Sequence, residues 1–129
     1  ARIAGNFVDQ DIAGSMEFAC QVAGAKMVMV MGHTSCGAIK GAIDNVQLGN
    51  LTALLDRLKP AVAAVSDFSG ERNSKNSAYV DAVATANVRL TLQEIRRISP
   101  ILRSLEEEGK LVMVGTMYDV ATGQVTFLA

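Results

Sequence analysis

The chain has 129 residues, a length that fits one domain over 1–129, and half of them are apolar, which excludes a disordered polymer. Its 12 basic and 13 acidic residues nearly cancel, so there is no electrostatic ground for expecting a nucleic acid or an anionic membrane as partner. Tryptophan is absent, aromatic platforms for base stacking are few, no apolar run approaches a membrane span, and no secretory signal pattern opens the chain.

Residues 1–4 are expected to be the tail of a strand, with Arg2 solvated and Gly5-Asn6 turning the chain. A helix is predicted over 9–25. Ile12, Met16, Ala19, Cys20 and Ala23 share its inner face, Asp9 and Asp11 favour its amino end, and Gly24 stops it. Cys20 on that face reads as core, and Glu17 as a solvated or paired carboxylate. Residues 27–31, Met-Val-Met-Val-Met, form a continuous apolar run, as in a strand covered on both faces.

Gly32, His33, Cys36 and Gly37 follow at the carboxyl end of that strand, where open α/β sheets usually build their sites. A helix over 36–44 then turns Ala38, Ile39, Ala42 and Ile43 inward. The pattern over 50–65 is helical and is interrupted by Pro60. Residues 66–76 are polar and read as a mobile surface connection or a lid. Residues 77–98 make the longest helix, stepping through Val80, Ala84, Val88, Leu92 and Ile95. Ser99-Pro100 caps and opens a short helix that reaches the Glu106-Glu107-Glu108 triplet and stops at Gly109. The triplet opposes the helix dipole and is expected to be solvated. Strands over 111–120 and 124–128, joined by a turn at 121–123, close the chain as a hairpin. The alternation of strands and helices predicts an α/β fold, a mostly parallel β-sheet flanked by helices with a C-terminal hairpin.

Imidazole nitrogen and thiolate sulfur are preferred ligands of zinc, and His33 is the only histidine in the chain. Cys36 lies near a predicted helix start, where unpaired N–H groups favour a thiolate. The pair suits a metal site, a nucleophile with its base, or simply a surface His beside a buried Cys. Spacing alone leaves all three open, because two ligands do not complete a zinc site and the sequence offers no good third. With only two cysteines there is no disulfide framework, and free thiols suit a reducing compartment, so a cytoplasmic location is expected.

Taken together, several segments resemble the β-class carbonic anhydrases. They are Arg2-Ile3-Ala4-Gly5-Asn6, Gly14-Ser15-Met16-Glu17-Phe18-Ala19, Val30-Met31-Gly32-His33-Thr34-Ser35-Cys36-Gly37-Ala38, Ser99-Pro100-Ile101-Leu102 and Tyr118-Asp119-Val120-Ala121-Thr122-Gly123. The resemblance implies that fold and reversible hydration of carbon dioxide to bicarbonate and a proton. It implies Zn2+ as cofactor with His33 and Cys36 as ligands, Gly37 orienting substrate through its backbone N–H, and a homodimer or higher homo-oligomer. Members of that family also carry an upstream Cys-x-Asp-x-Arg element, whose Cys is a further zinc ligand and whose Asp and Arg gate the metal. The chain reads as an N-terminally truncated form without it. In the family that element belongs to a central strand, so a gap is expected between residues 1–4 and the strand at 27–31. A metal-free oligomeric scaffold of the same fold is the alternative expectation.

Overall fold

A computed structural model describes residues 1–128. In chain order the elements are α1 (Gln10–Glu17), β1 (Met27–His33), α2 (Gly37–Ile43), α3 (Gly49–Asp56) and α4 (Lys59–Ala63), followed by α5 (Ser77–Ile98), α6 (Pro100–Glu107), β2 (Val112–Tyr118) and β3 (Val125–Leu128). The three strands form one sheet in the order β1-β2-β3. β1 and β2 run parallel, from Met27 opposite Val112 to His33 opposite Tyr118. β2 and β3 are antiparallel and form the expected hairpin. None of the described helices is long and apolar enough to cross a membrane.

Helix boundaries follow local chemistry. The Asp9 carboxylate accepts from the Ile12 N–H and caps α1. The chain then widens into a π turn, Phe18–Val22, and ends at Gly24 in the left-handed region. The single helix expected over 9–25 is therefore two helical geometries. The extra residue in the wide turn shifts the face, so Ala13 and Cys20 are buried while Ala23 is exposed. The pattern over 50–65 breaks into α3 and α4 just before Pro60, as a proline without an N–H requires. Asn76 caps α5 at Tyr79, and Ser99 caps α6 at Leu102. The Ser99 hydroxyl also lies 2.6 Å from Glu17 Oε1, which ties the α5–α6 corner to α1.

Two apolar clusters flank α5. In one, Val28, Val30 and Met113 of the sheet pack with Val88 and Ile95 of α5, together with Cys20 and Leu102. In the other, Ile39, Leu55 and Leu58 pack against Val80, Val83 and Ala84 of the same helix. Alternation along β1 buries Val28 and Val30 and exposes Met27 and Met29. β1 is thus buried chiefly on one face of the sheet, contrary to the expectation for 27–31. On its other face Met27, Val112 and Phe127 are 52%, 51% and 62% exposed.

Residues 1–4 form no strand. They lie across a cleft from β1, whose outer edge has no strand partner among the described residues, so the expected gap is present. Residues 66–76 are irregular but internally tied. Asn73 Oδ1 accepts from the Lys75 and Asn76 N–H groups, and Ser74 donates to Asp44. None of them borders the cleft, so the structure gives them no lid role there.

The glutamate triplet is paired rather than merely solvated. Arg96 grips Glu106 with two bonds of 2.7 and 2.8 Å, Arg103 stands 3.9 Å from Glu107, and Lys110 reaches Glu108 at 2.6 Å. The bonds from Arg96 hold the Glu106 carboxyl below the usual carboxylate range. A carboxyl whose pKa is lower folded than unfolded adds stability above its unfolded value of about 4.3 and loses it as pH falls through the folded one. Glu106→Gln should therefore lower the urea midpoint at pH 7. The difference from the parent should shrink as the pH falls below the unfolded value and close only once it has passed through the lower folded-state pKa, where the carboxyl is protonated in both states.

Candidate functional site

The site grows from the carboxyl end of β1. A Cβ on Gly32 would stand 2.7 Å from both Met117 Sδ and Val88 Cγ2, so only glycine lets β1 settle between β2 and α5 at that point. His33 is the next residue and is exposed. Its Nδ1 lies 2.9 Å from the Thr34 carbonyl. A carbonyl can only accept, so Nδ1 carries the proton and the Nε2 lone pair is left for a ligand or metal.

Thr34 is fixed to the end of β2. Its N–H donates to the Tyr118 carbonyl at 3.0 Å, and its Oγ1 accepts from the Val120 N–H at 3.1 Å. Ser35 follows with φ 57°, a left-handed conformation that costs a non-glycine residue roughly 1–2 kcal/mol. Its N–H donates to Asp81 Oδ1 of α5 at 3.2 Å. That turn delivers Cys36 as the extended residue capping α2, with no hydrogen bond from its side chain to the helix. Gly37 opens α2, and a Cβ there would meet no protein atom within 4 Å. As the first helical residue its N–H has no intrahelical acceptor.

His33, Cys36 and Gly37 border one cleft of about 890 Å³. Its apolar wall includes Met29, Met31 and Ile39. The opposite wall is the segment from Ala1 to Asn6, with Arg2 at its rim. The expected turn is there, with Gly5 at φ 79° and Asn6 at φ 46°. Two carboxamides hold it. Asn87 Nδ2 of α5 donates to the Gly5 carbonyl at 2.6 Å, and Asn6 Nδ2 donates to the Met31 carbonyl at 3.1 Å. Asn6 thereby occupies an acceptor on the free edge of β1, two residues before His33.

His33, Cys36 and Gly37 thus line the same cleft. Cys20 is not among them; it is buried in the first apolar cluster, and burial pushes its thiol pKa up. Asp81, Asn87 and Thr34 were not singled out in the sequence. Asn87 carried one signal, a carboxamide directly beside Val88 in the apolar stripe of α5. Asp81 and Thr34 carried none, because their partners lie 46 and 86 residues away.

Donor type at this cleft suits zinc; donor number falls short. No group of three His, Cys, Asp or Glu side chains able to hold a metal occurs among the described residues. A larger groove of about 1160 Å³ beside α1 holds Asp9, Asp11, Glu17, Arg57 and Glu94 but no His or Cys. Gly32→Ala would force the ladder and α5 apart beneath His33. Overpacking of this kind should cost about 1–3 kcal/mol in a denaturation measurement.

Comparison with known proteins gives a consistent result. The family model described as carbonic anhydrase matches residues 1–125. The carbonic anhydrase of Pseudomonas aeruginosa is 31% identical over 117 residues, covering 91% of this chain and 53% of that protein. That of Synechococcus elongatus is 33% identical over 116 residues, covering 86% of this chain and 41% of its own length. The crystal structure of a β-carbonic anhydrase from Aspergillus fumigatus superposes with a TM-score of 0.82 at 28% identity, covering 99% of this chain and 62% of that one. A tetrameric β-carbonic anhydrase from Sordaria macrospora shares the fold, with a TM-score of 0.82 at 23% identity and 66% of its chain covered. This chain spans about half the length of the curated relatives it matches.

Proposed function

Because this chain belongs to the β-class carbonic anhydrase family, we propose that it carries part of the catalytic centre of a zinc-dependent enzyme that reversibly hydrates carbon dioxide to bicarbonate and a proton. The observation that supports this most is the His33–Cys36 pair on one cleft, with Nδ1 of His33 already committed to Thr34 and Nε2 left over. His33 Nε2 and Cys36 Sγ are the two donors this chain offers, and the remaining donor comes from outside residues 1–128. Zinc, when bound, is a Lewis acid that makes hydroxide available near neutral pH.

The chain's own residues supply the surroundings. Met29, Met31 and Ile39 give an apolar wall that fits an uncharged, nonpolar substrate. The Gly37 N–H, free at the start of α2, orients a substrate oxygen. The open space over Gly37 keeps that approach clear. Free thiols at Cys20 and Cys36 suit a reducing compartment, and a cytoplasmic location is part of this reading.

A homo-oligomer is part of the same reading. The uncovered sheet face with Met27, Val112 and Phe127 is an apolar surface, and apolar patches of this kind mark interaction sites. A second copy of the chain is the occupant the family favours, since the Sordaria relative is tetrameric. Phe127→Glu should then shift the particle toward monomer in light scattering, with the helical circular dichroism unchanged.

The shortage of donors favours one alternative, a metal-free oligomeric scaffold of the same fold. Zinc per chain and carbon dioxide hydration, measured on one preparation, separate the two. The enzyme reading expects about one zinc per chain with hydration, both lost in His33→Ala. An oligomer with neither zinc nor hydration supports the scaffold.

A further inference from the structure

We infer that Asp81 is a positioning residue for the loop that carries His33 and Cys36. It holds Ser35 in its left-handed conformation and so sets where the Cys36 sulfur stands. The inference rests on the donor reading above for its bearing on function, but the geometry behind it is independent of any metal.

The loop between β1 and α2 is clamped from two sides. On one side Thr34 is bound at both its N–H and its hydroxyl to the end of β2. On the other side the Ser35 N–H donates to Asp81 Oδ1, the one side-chain hydrogen bond to Ser35 among the described residues. Ser35 lies between the two donor residues and is the one residue of the loop in the left-handed region. Serine has no intrinsic reason to stay there, because its Cβ crowds the backbone. An acceptor aimed at its N–H holds the conformation that serine alone would leave. The acceptor stands on a firm base, since Asp81 is partly buried on α5 between the buried Val80 and Val83. Six residues further along, the same helix grips the other wall of the cleft through Asn87 and Gly5. One rigid helix therefore spaces the two walls, and Asp81 is its contact with the donor loop.

The test follows alkylation of Cys36 by iodoacetamide at fixed pH, with peptide mass spectrometry reading Cys36 and the core residue Cys20 separately. Asp81→Ala should speed reaction at Cys36 by about fivefold, the worth of one ordinary net hydrogen bond, and leave Cys20 unchanged. Asp81→Asn keeps an acceptor without the charge and should stay within about twofold of the parent. Adding Ser35→Gly to Asp81→Ala should bring the rate part of the way back toward the parent, because glycine enters the positive-φ region without the Cβ penalty although nothing then holds it there.

Three results would overturn the inference: no change in Asp81→Ala, an equal rise at Cys20, or an Asp81→Asn rate matching Asp81→Ala. Zinc content of the parent protein answers the separate question of the donor pair. A Cys36 that responds to Asp81 as expected, in a chain that binds no zinc, upholds the positioning role and shows that His33 and Cys36 do not hold the metal by themselves.

Discussion

The close approach of α5 to the sheet is the constraint on which the rest depends. It is possible because two glycines face that helix. A Cβ on Gly32 would meet Val88 at 2.7 Å, and one on Gly115 would meet Val88 at 2.9 Å and Leu92 at 3.1 Å. With those side chains absent, Val88 seats between β1 and β2, and one helix packs both apolar clusters at once. Close packing of this kind transmits position faithfully, since interiors are about as dense as organic crystals. The polar residues of α5 inherit that precision. Asp81 and Asn87 reach the two walls of the cleft from a helix that cannot shift without opening the core.

The cleft is therefore a by-product of packing geometry as much as of its own residues. β1 delivers His33 at its end, β2 anchors Thr34, and α2 begins at Cys36. Each of those elements is placed by its contact with α5 or with its sheet neighbour. The arrangement commits Nδ1 of His33 and leaves its other nitrogen free, an outer-shell bond of the kind that usually fixes a ligating histidine. The same packing leaves two surfaces open: the outer edge of β1, and the sheet face with Met27, Val112 and Phe127. Both are apolar or hydrogen-bond-hungry, and both adjoin the cleft or the strands that form it. The chain belongs to the β-class carbonic anhydrase family and spans about half the length of the curated relatives it matches.

Local signals carried the helices well. The span of α5, the Ser99 cap with Pro100 behind it, and the stop at Gly109 were legible because caps and breakers act within one turn. The hairpin of β2 and β3 was legible for the same reason. The π turn after α1 was not, since an apolar stripe at helical spacing does not report where the hydrogen-bond register widens. The ion pairs of Glu106 and Glu107 escaped as well, although Arg103 lies only four residues from Glu107. Three consecutive acids look solvated until a neighbouring helix end is known to present Arg96.

The sequence by itself determined that an imidazole and a thiol, His33 and Cys36, follow an apolar strand, and it determined the glycines that make the turns, because these depend on residue chemistry and on neighbours a few positions apart. Only the tertiary structure decided that β1 is buried chiefly on one face, that residues 1–4 form no strand, and that Asp81 and Asn87 of one helix hold opposite walls of one cleft. These are contacts between residues 46 and 82 positions apart. No local propensity encodes such pairs; they exist because side chains as small as a hydrogen at Gly32 and Gly115 let a helix and a sheet meet at close range.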